Sequence, residues 1–313
     1  MNYLSKREAP QRSVASNNLK IFKVVIKILS KNPKAYSTKR LVEAGRARDH
    51  DVEIINPFYC DLIIEKKNPE IFFEGKKIGY VDAVIPRIGV SDTFYGTALV
   101  RQFELMKVFT TAGSEALTRS NDRLRSLQML SSANLGLPKT AISNDVDKLA
   151  DIINFVDKAP LIVKLLERKK GLGVVLAETN KAAISVIEAF KGLNAFVIVQ
   201  KYIKESRGSD VRAFVVDGKV VGAMERQAKN GEFRSNRHLG STAKIIQLTE
   251  KEELTAIKAA KKLGLGICGV DMLRSFAGPL ILKVTSSPGL EQIEAVTEKD
   301  IAKIIIKYAE KNV

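Results

Sequence analysis

Two short apolar runs near the C-terminus constrain the fold more than any other part of the sequence. They occupy residues 269–273 and 280–284, and Ala277, Gly278 and Pro279 lie between them. Apolar runs of this length, bounded by turn residues, are typical of buried strands, so we expect a hairpin that turns at these three residues. The second run leads into a Ser-Ser-Pro-Gly loop at residues 286–289.

One carboxylate, Asp271, lies in the middle of the first run. Burying a carboxylate is costly unless it is paired with a cation or coordinates a metal ion. The alternative is a strand-end Asp that accepts a hydrogen bond from a neighbouring backbone amide. Asp271 is therefore a candidate site residue, and a purely structural role stays open.

The composition of the 313 residues indicates a globular cytoplasmic protein with two or three domains. No apolar run reaches the roughly 18 to 20 residues of a membrane span. The two cysteines lie far apart and are expected to be reduced. A formal net charge of +16 favours anionic partners such as nucleotides or acidic peptides, although a solvated lysine-rich surface would give the same value. Direct DNA binding is not expected, because no zinc-finger spacing accompanies the charge.

The first part of the chain predicts a small, mostly parallel α/β domain, because strands alternate with helical segments. Residues 1–22 are polar and basic and are expected to form a disordered extension. Ser37 is predicted to be the N-cap of a helix. The further predictions are strands at 22–29, 51–55 and 81–88, a helix at 38–44 and a hairpin at 71–78.

The rest of the chain predicts two α+β units. Asp217-Gly218, between two alternating apolar segments, is a strong signal for a hairpin turn. The predicted helices are 121–134, 181–190, 250–263 and a terminal helix from about 299. The predicted strands are 161–166, 173–178, 196–203, 211–216 and 220–225.

Several motifs occur in a fixed order along the chain. They are Ala-Pro-Leu-Ile-Val-Lys at 159–164, Gly-Leu-Gly-Val at 171–174, Gln-Lys-Tyr-Ile at 200–203, Phe-Arg-Ser-Asn at 233–236, Gly-Val-Asp-x-Leu at 269–273 and Ser-Pro-Gly-Leu-Glu at 287–291. Together they resemble the ATP-grasp ligases, and among these the RimK group, which adds glutamate to a small-subunit ribosomal protein. The resemblance implies an N-terminal pre-ATP-grasp α/β domain at 23–117 and two α+β lobes, 118–203 and 204–313, that clasp ATP.

The resemblance also implies a reaction. A carboxylate is a poor electrophile, so ATP first converts it to an acyl phosphate, which an amine then attacks. The implied function is an ATP-dependent carboxylate–amine ligase that adds L-glutamate to the C-terminus of an acidic small-subunit ribosomal protein. The implied cofactors are ATP and Mg²⁺ (or Mn²⁺). The oligomeric state is not indicated, with a homo-oligomer as one option.

The resemblance assigns roles to ten residues, each of which could instead be an ordinary polar residue. Lys164 would contact the ATP phosphates, and Arg212 and Arg226 would be catalytic by stabilising developing phosphate charge. Asp271 would bind the metal ion. The remaining residues implied to contact the nucleotide are Lys201 and Tyr202 at the hinge, Asp210 near the ribose, and Arg234, Ser235 and Asn236 in a loop.

The chain departs from the family at the chemistry itself. Lys283 occupies the position of a second acidic metal ligand, and Thr285 that of an Asn ligand. An ammonium group donates only, so Lys283 cannot bind a metal ion. Arg168 and Lys169 replace small residues in the phosphate-covering loop. Three hypotheses therefore stay open: an active ligase, a catalytically degenerate protein that binds nucleotide or a ribosomal partner without turnover, and a retained fold with no nucleotide site.

Overall fold

The computed structural model describes residues 23–142, 149–166, 173–191, 196–229, 232 and 240–313. Within these ranges the strands form four sheets. The sequence prediction for residues 1–22 lies outside the described residues. No helix of the described chain is long and apolar enough to span a membrane.

The N-terminal unit is built on a parallel sheet, as predicted. Its elements are β1 (Val25–Leu29), α1 (Tyr36–Arg46), β2 (Asp51–Ile55), β3 (Cys60–Ile63), β4 (Glu70–Phe73), β5 (Lys76–Lys77), β6 (Ala83–Pro86), α2 (Thr93–Leu105) and β7 (Phe109–Thr110). The parallel strands are ordered β2-β1-β6-β7, and β3, β4 and β5 form a separate antiparallel sheet. The predicted strand at 51–55 and the hairpin within 71–78 are confirmed.

The predicted N-cap role of Ser37 is wrong. Helix α1 begins at Tyr36, and its N-cap residue is Ala35, which has an extended backbone and no side-chain capping bond. The buried Ser37 hydroxyl instead accepts a hydrogen bond of 2.9 Å from the backbone N–H of Leu290. A tertiary contact to the C-terminal loop therefore takes the place of the local cap.

The segment that leads into the middle unit contains two helices, α3 (Ser114–Asn121) and α4 (Arg123–Ser131). The sequence predicted a single helix at 121–134. Asp122 interrupts it, because its backbone is extended and its side chain accepts a hydrogen bond from the N–H of Arg125, which caps α4.

The middle unit is an antiparallel sheet covered by helices. Its elements are β8 (Thr140–Ile142), α5 (Leu149–Phe155), β9 (Leu161–Leu165), β10 (Val174–Ala177), α6 (Asn180–Lys191) and β11 (Val197–Lys201), and the strand order is β10-β9-β11-β8. Ile153 of α5 and Ile187 of α6 pack against Leu161 and Val163 of β9 in a core of their own.

The C-terminal unit contains a five-stranded antiparallel sheet. Its elements are β12 (Ser209–Val216), β13 (Lys219–Gln227), β14 (Thr242–Ile245), α7 (Glu250–Leu263), β15 (Ile267–Ser275), β16 (Gly278–Thr285), α8 (Glu291–Thr297) and α9 (Ile301–Lys311). The strand order is β14-β13-β12-β15-β16. Asp217 and Gly218 turn the first hairpin with φ values of 51° and 70°, as the sequence predicted.

The second hairpin, β15–β16, is also present as predicted, but its turn lies earlier than residues 277–279. The turn residues are Phe276 and Ala277, and Gly278 already begins β16 with a φ of 108°. Pro279 lies within β16, which is an edge strand. An edge position tolerates proline, because the missing N–H faces away from the sheet.

The N-terminal and C-terminal units share their cores. Phe103 of α2 and Leu117 of α3 belong to one buried cluster with Leu263 of α7 and Val270 of β15. The terminal helix α9 packs against α1, and Arg48 pairs with Glu310 at 2.8 Å. These contacts hold the N-terminal unit beside β16, where the candidate site lies.

Candidate active site

A cavity of about 170 Å³ lies between the middle and the C-terminal sheets. Lys164 of β9 and Gln200 of β11 line it from one side, and Asp271 of β15 and Lys283 of β16 from the other. The side chains of the cavity therefore come from strands of two different sheets, which together position them.

Lys164 is a buried cation with a neutral partner. Its side chain donates a hydrogen bond of 2.6 Å to Oε1 of Gln200, which in turn donates from Nε2 to the Thr140 hydroxyl at 2.9 Å. Burial, with a smaller contribution from nearby Arg123, lowers the pKa of Lys164 well below its usual value. Lys164 forms no ion pair with any described residue, so an anion in the cavity would supply the missing counter-charge.

Two carboxylates that line this cavity, Asp210 and Asp271, form a network with two arginines that do not line it. Asp271 accepts hydrogen bonds from Nε and Nη2 of Arg212 at 2.6 and 2.8 Å, and Nη2 of Arg226 lies 3.1 Å from its Oδ1. Arg226 also donates from Nε to Asp210 at 2.7 Å. Burial alone would raise the pKa of Asp271, but Arg212 and Arg226 outweigh it and hold that pKa well below its ordinary range.

Lys283 lies directly across the β15–β16 ladder from Asp271. Opposite residues of an antiparallel pair present their side chains on the same face, so the ammonium group points to the same side as the carboxylate. Burial lowers the pKa of Lys283, and Asp271 opposes this effect, while solvent still reaches the side chain. Thr285, two residues further on the same face, has a buried hydroxyl oxygen with no hydrogen-bond partner among the described residues.

These donors do not fit a pair of resident Mg²⁺ ions. Mg²⁺ prefers carboxylate and other oxygen ligands in near-octahedral order. Asp271 already binds two arginines, and an ammonium faces it. Across the described ranges, no group of three or more His, Cys, Asp or Glu side chains could hold a metal ion.

A second, larger cavity of about 670 Å³ opens toward the N-terminal unit. Ser37 of α1, Arg87 after β6 and Ser287 line it, and it shares Arg123 and Lys283 with the smaller cavity. Arg87 donates a hydrogen bond of 2.8 Å to the backbone oxygen of Pro288, and burial lowers its pKa to about 10. No described carboxylate pairs with it.

The sequence did not single out Arg87 or Arg123. Arg87 directly follows the fully buried strand β6. A charged residue at the end of a buried strand could have indicated a candidate site residue. Arg123 is the first residue of α4, and the predicted continuous helix concealed that position. Burial lowers the pKa of Arg123, as expected for a cation that has no described ion-pair partner.

The other predicted site residues are placed as follows. Tyr202 lines the smaller cavity directly after β11. Lys201 also lines it, but it is exposed and pairs with Asp157 at 3.0 Å. The predicted nucleotide-contacting residues Arg234, Ser235 and Asn236, and the loop residues Arg168 and Lys169, lie outside the described residues.

Comparison with family models decides the assignment of the chain. Residues 24–117 match the model of the RimK PreATP-grasp domain, and residues 120–309 match the model of the RimK-like ATP-grasp domain. The chain belongs to the RimK-like ATP-grasp family. Because its relatives are ligases, this RimK-like chain is an ATP-dependent ligase of the class that forms C–N bonds.

Curated relatives cover nearly the whole RimK-like chain. A probable alpha-L-glutamate ligase 1 of Shewanella denitrificans is 56% identical over 287 residues, which are 92% of this chain and 97% of the relative. A probable alpha-L-glutamate ligase of Marinomonas sp. is 55% identical over 286 residues, which are 91% of this chain and 95% of the relative.

Solved structures confirm the ATP-grasp fold. The ATP-grasp ligase PsnB, complexed with a minimal precursor, superimposes with a TM-score of 0.74 at 18% identity and covers 93% of this chain and 99% of that chain. A RimK domain ATP-grasp protein from Sphaerobacter thermophilus gives a TM-score of 0.70 at 20% identity, with 91% and 98% coverage. PsnB has also been solved with Mg and ADP, at a TM-score of 0.72.

Proposed function

We propose that this chain is an ATP-dependent ligase that joins L-glutamate to the carboxyl terminus of an acidic protein. The observation that carries the proposal is the junction of the two cavities, where Arg123 and Lys283 line both and Lys164 lines the smaller one. None of the three forms an ion pair with a described residue. Concentrated positive charge of this kind stabilises phosphoryl transfer.

The proposed reaction has two steps. An oxygen of the acceptor carboxylate attacks the γ-phosphorus of ATP, the bond to the β-phosphate oxygen breaks, and ADP leaves. Lys164 and Arg123 hold the phosphates through charge-assisted hydrogen bonds. The amine of L-glutamate then attacks the acyl carbon, the amide bond forms, and inorganic phosphate and a proton leave.

Asp210 and Asp271, which line the smaller cavity, hold the two arginines in fixed positions beside it. Arg226 is buried and held by Asp210 and Asp271, and Arg212 is held by Asp271. Charges that are already oriented stabilise a developing anion without reorganisation. No step is assigned to Mg²⁺ or Mn²⁺, because these arginines engage the carboxylates that would bind either ion.

The acceptor is proposed to enter the larger cavity. Arg87, half-buried and without a described carboxylate partner, is suited to bind a carboxylate of the acceptor tail. A small-subunit ribosomal protein is the acceptor that the sequence resemblance implies, and it would place the reaction in the cytoplasm.

The test is an ADP-release assay with ATP, L-glutamate and either an acidic C-terminal peptide or small ribosomal subunits. The product should gain the mass of one glutamyl residue. Arg87→Ala should raise KM for the acceptor about tenfold or more while KM for ATP stays unchanged. Arg101→Ala, which changes an exposed arginine of α2, is the matched control. Equal KM values for the acceptor in the two variants would refute the role of Arg87.

The second candidate is a protein that binds nucleotide or a ribosomal partner without turnover. The observation that favours it is Asp271, which binds two arginines and faces Lys283. Nucleotide binding without ADP release, with either acceptor and with or without Mg²⁺ or Mn²⁺, would support this candidate. Glutamylated product would exclude it.

A further inference from the structure

Lys283 lies between the two cavities and beside the Asp271 carboxylate. It is the cross-strand partner of Asp271, and it lines both cavities together with Arg123. It forms no ion pair within the described chain. Its ammonium group is therefore available to an anion that enters from either cavity.

The carboxylate across from it is not available to a metal ion. Two nitrogens of Arg212 bind the two oxygens of Asp271, and Arg226 lies 3.1 Å from one of them. A divalent cation at this position would have to displace an arginine and approach an ammonium group. Both changes oppose cation binding, because like charges in a partly buried site repel strongly.

We propose that the Lys283 ammonium takes the place of a divalent cation, so that this cleft binds the polyphosphate of a nucleotide without Mg²⁺. The proposal rests on the nucleotide binding proposed above. An ammonium group offers three donors and a compact charge, and phosphate oxygens are acceptors for it.

The experiment is calorimetric titration of the full chain with AMPPNP, a non-hydrolysable ATP analogue, in EDTA and in excess Mg²⁺. The wild-type Kd should differ less than about threefold between the two conditions. The double variant Lys283→Glu/Thr285→Asn should bind about tenfold or more weakly in EDTA, and Mg²⁺ should restore its affinity. Lys76→Glu, at an exposed lysine of β5, makes the same change as Lys283→Glu in net charge and should leave both Kd values unchanged.

Each outcome separates this proposal from the one on which it rests. Wild-type binding that requires Mg²⁺ would overturn the role of Lys283 and leave the proposed nucleotide site intact. No binding in either condition would refute the nucleotide site itself, and this proposal with it. If the double variant does not fold, Lys283→Met, which nearly keeps the length of the side chain, replaces it in the titration. It should weaken binding in EDTA, and an unchanged Kd would overturn the proposal.

Discussion

The Asp271→Asn substitution tests whether the carboxylate belongs to the structural network. Asparagine has nearly the same shape, so the change removes the charge without leaving a cavity. Removal of one partner from a buried ion pair costs about 3–5 kcal/mol. Arg226 keeps Asp210 as a partner and the Arg212 side chain is 16% exposed. We therefore expect the lower end, a loss of about 3 kcal/mol in the free energy of unfolding.

The dependence on pH follows from the depressed pKa of Asp271. A carboxylate with a lowered folded pKa contributes stability above its unfolded value of about 3.9, and this contribution is lost as the pH falls through the folded value. The difference between wild type and variant should therefore stay constant from about pH 5 to 8 and shrink only below about pH 4.

Thermal and urea unfolding measure the effect. A loss of about 3 kcal/mol corresponds to a Tm lower by about 5 °C in a chain of this size. Asp217→Asn is the control, because Asp217 pairs with Lys311 at the surface and asparagine tolerates its φ of 51°. Its cost should stay below about 1 kcal/mol. A variant at Asp271 that is as stable as wild type, or more stable, would refute the network and indicate that the carboxylate is kept for an external ligand.

Two further predictions concern a buried cation and a helix cap. Lys164→Met should raise the Kd for AMPPNP about tenfold or more in titration calorimetry. The pKa of Lys164 is lower in the folded than in the unfolded chain, so the stability of wild type relative to this variant should rise as the pH approaches the unfolded pKa of lysine. If the free energies of unfolding of the two proteins change in parallel with pH, the charge of Lys164 is not buried. Thr249→Ala removes the capping box of α7, so the free energy of unfolding measured in urea should fall by about 1 kcal/mol while the nucleotide affinity stays unchanged. No loss of stability would show that the cap is not formed.

Elements with strong local signals could be predicted from the sequence. Helix α7 has the predicted bounds, because Thr249 and Glu252 form a capping box and Gly264 adopts the left-handed conformation that ends the helix. The hairpin turn at Asp217-Gly218 is equally local. Helix α2 was not predicted, because its apolar residues lie on more than one face and its first turn carries no capping bond.

The tertiary arrangement of the candidate site could not be predicted in the same way. Asp210, Arg212, Arg226 and Asp271 were each predicted separately, with nucleotide, catalytic or metal-binding roles. The structure pairs Asp210 with Arg226 and Arg212 with Asp271 across neighbouring strands. These pairs depend on strand register, which the sequence motifs do not specify.

The cations around the two cavities outnumber the carboxylates that could neutralise them. Arg212 and Arg226 already neutralise the two carboxylates, so Lys283 adds a charge that these carboxylates do not balance. Lys164 and Arg123 add to it, and burial disfavours the charged form of both. A fold that retains such groups loses stability through them unless an anion binds. A polyphosphate bound beside Lys283 would supply that anion, whereas a divalent cation at the same place would add to the uncompensated positive charge.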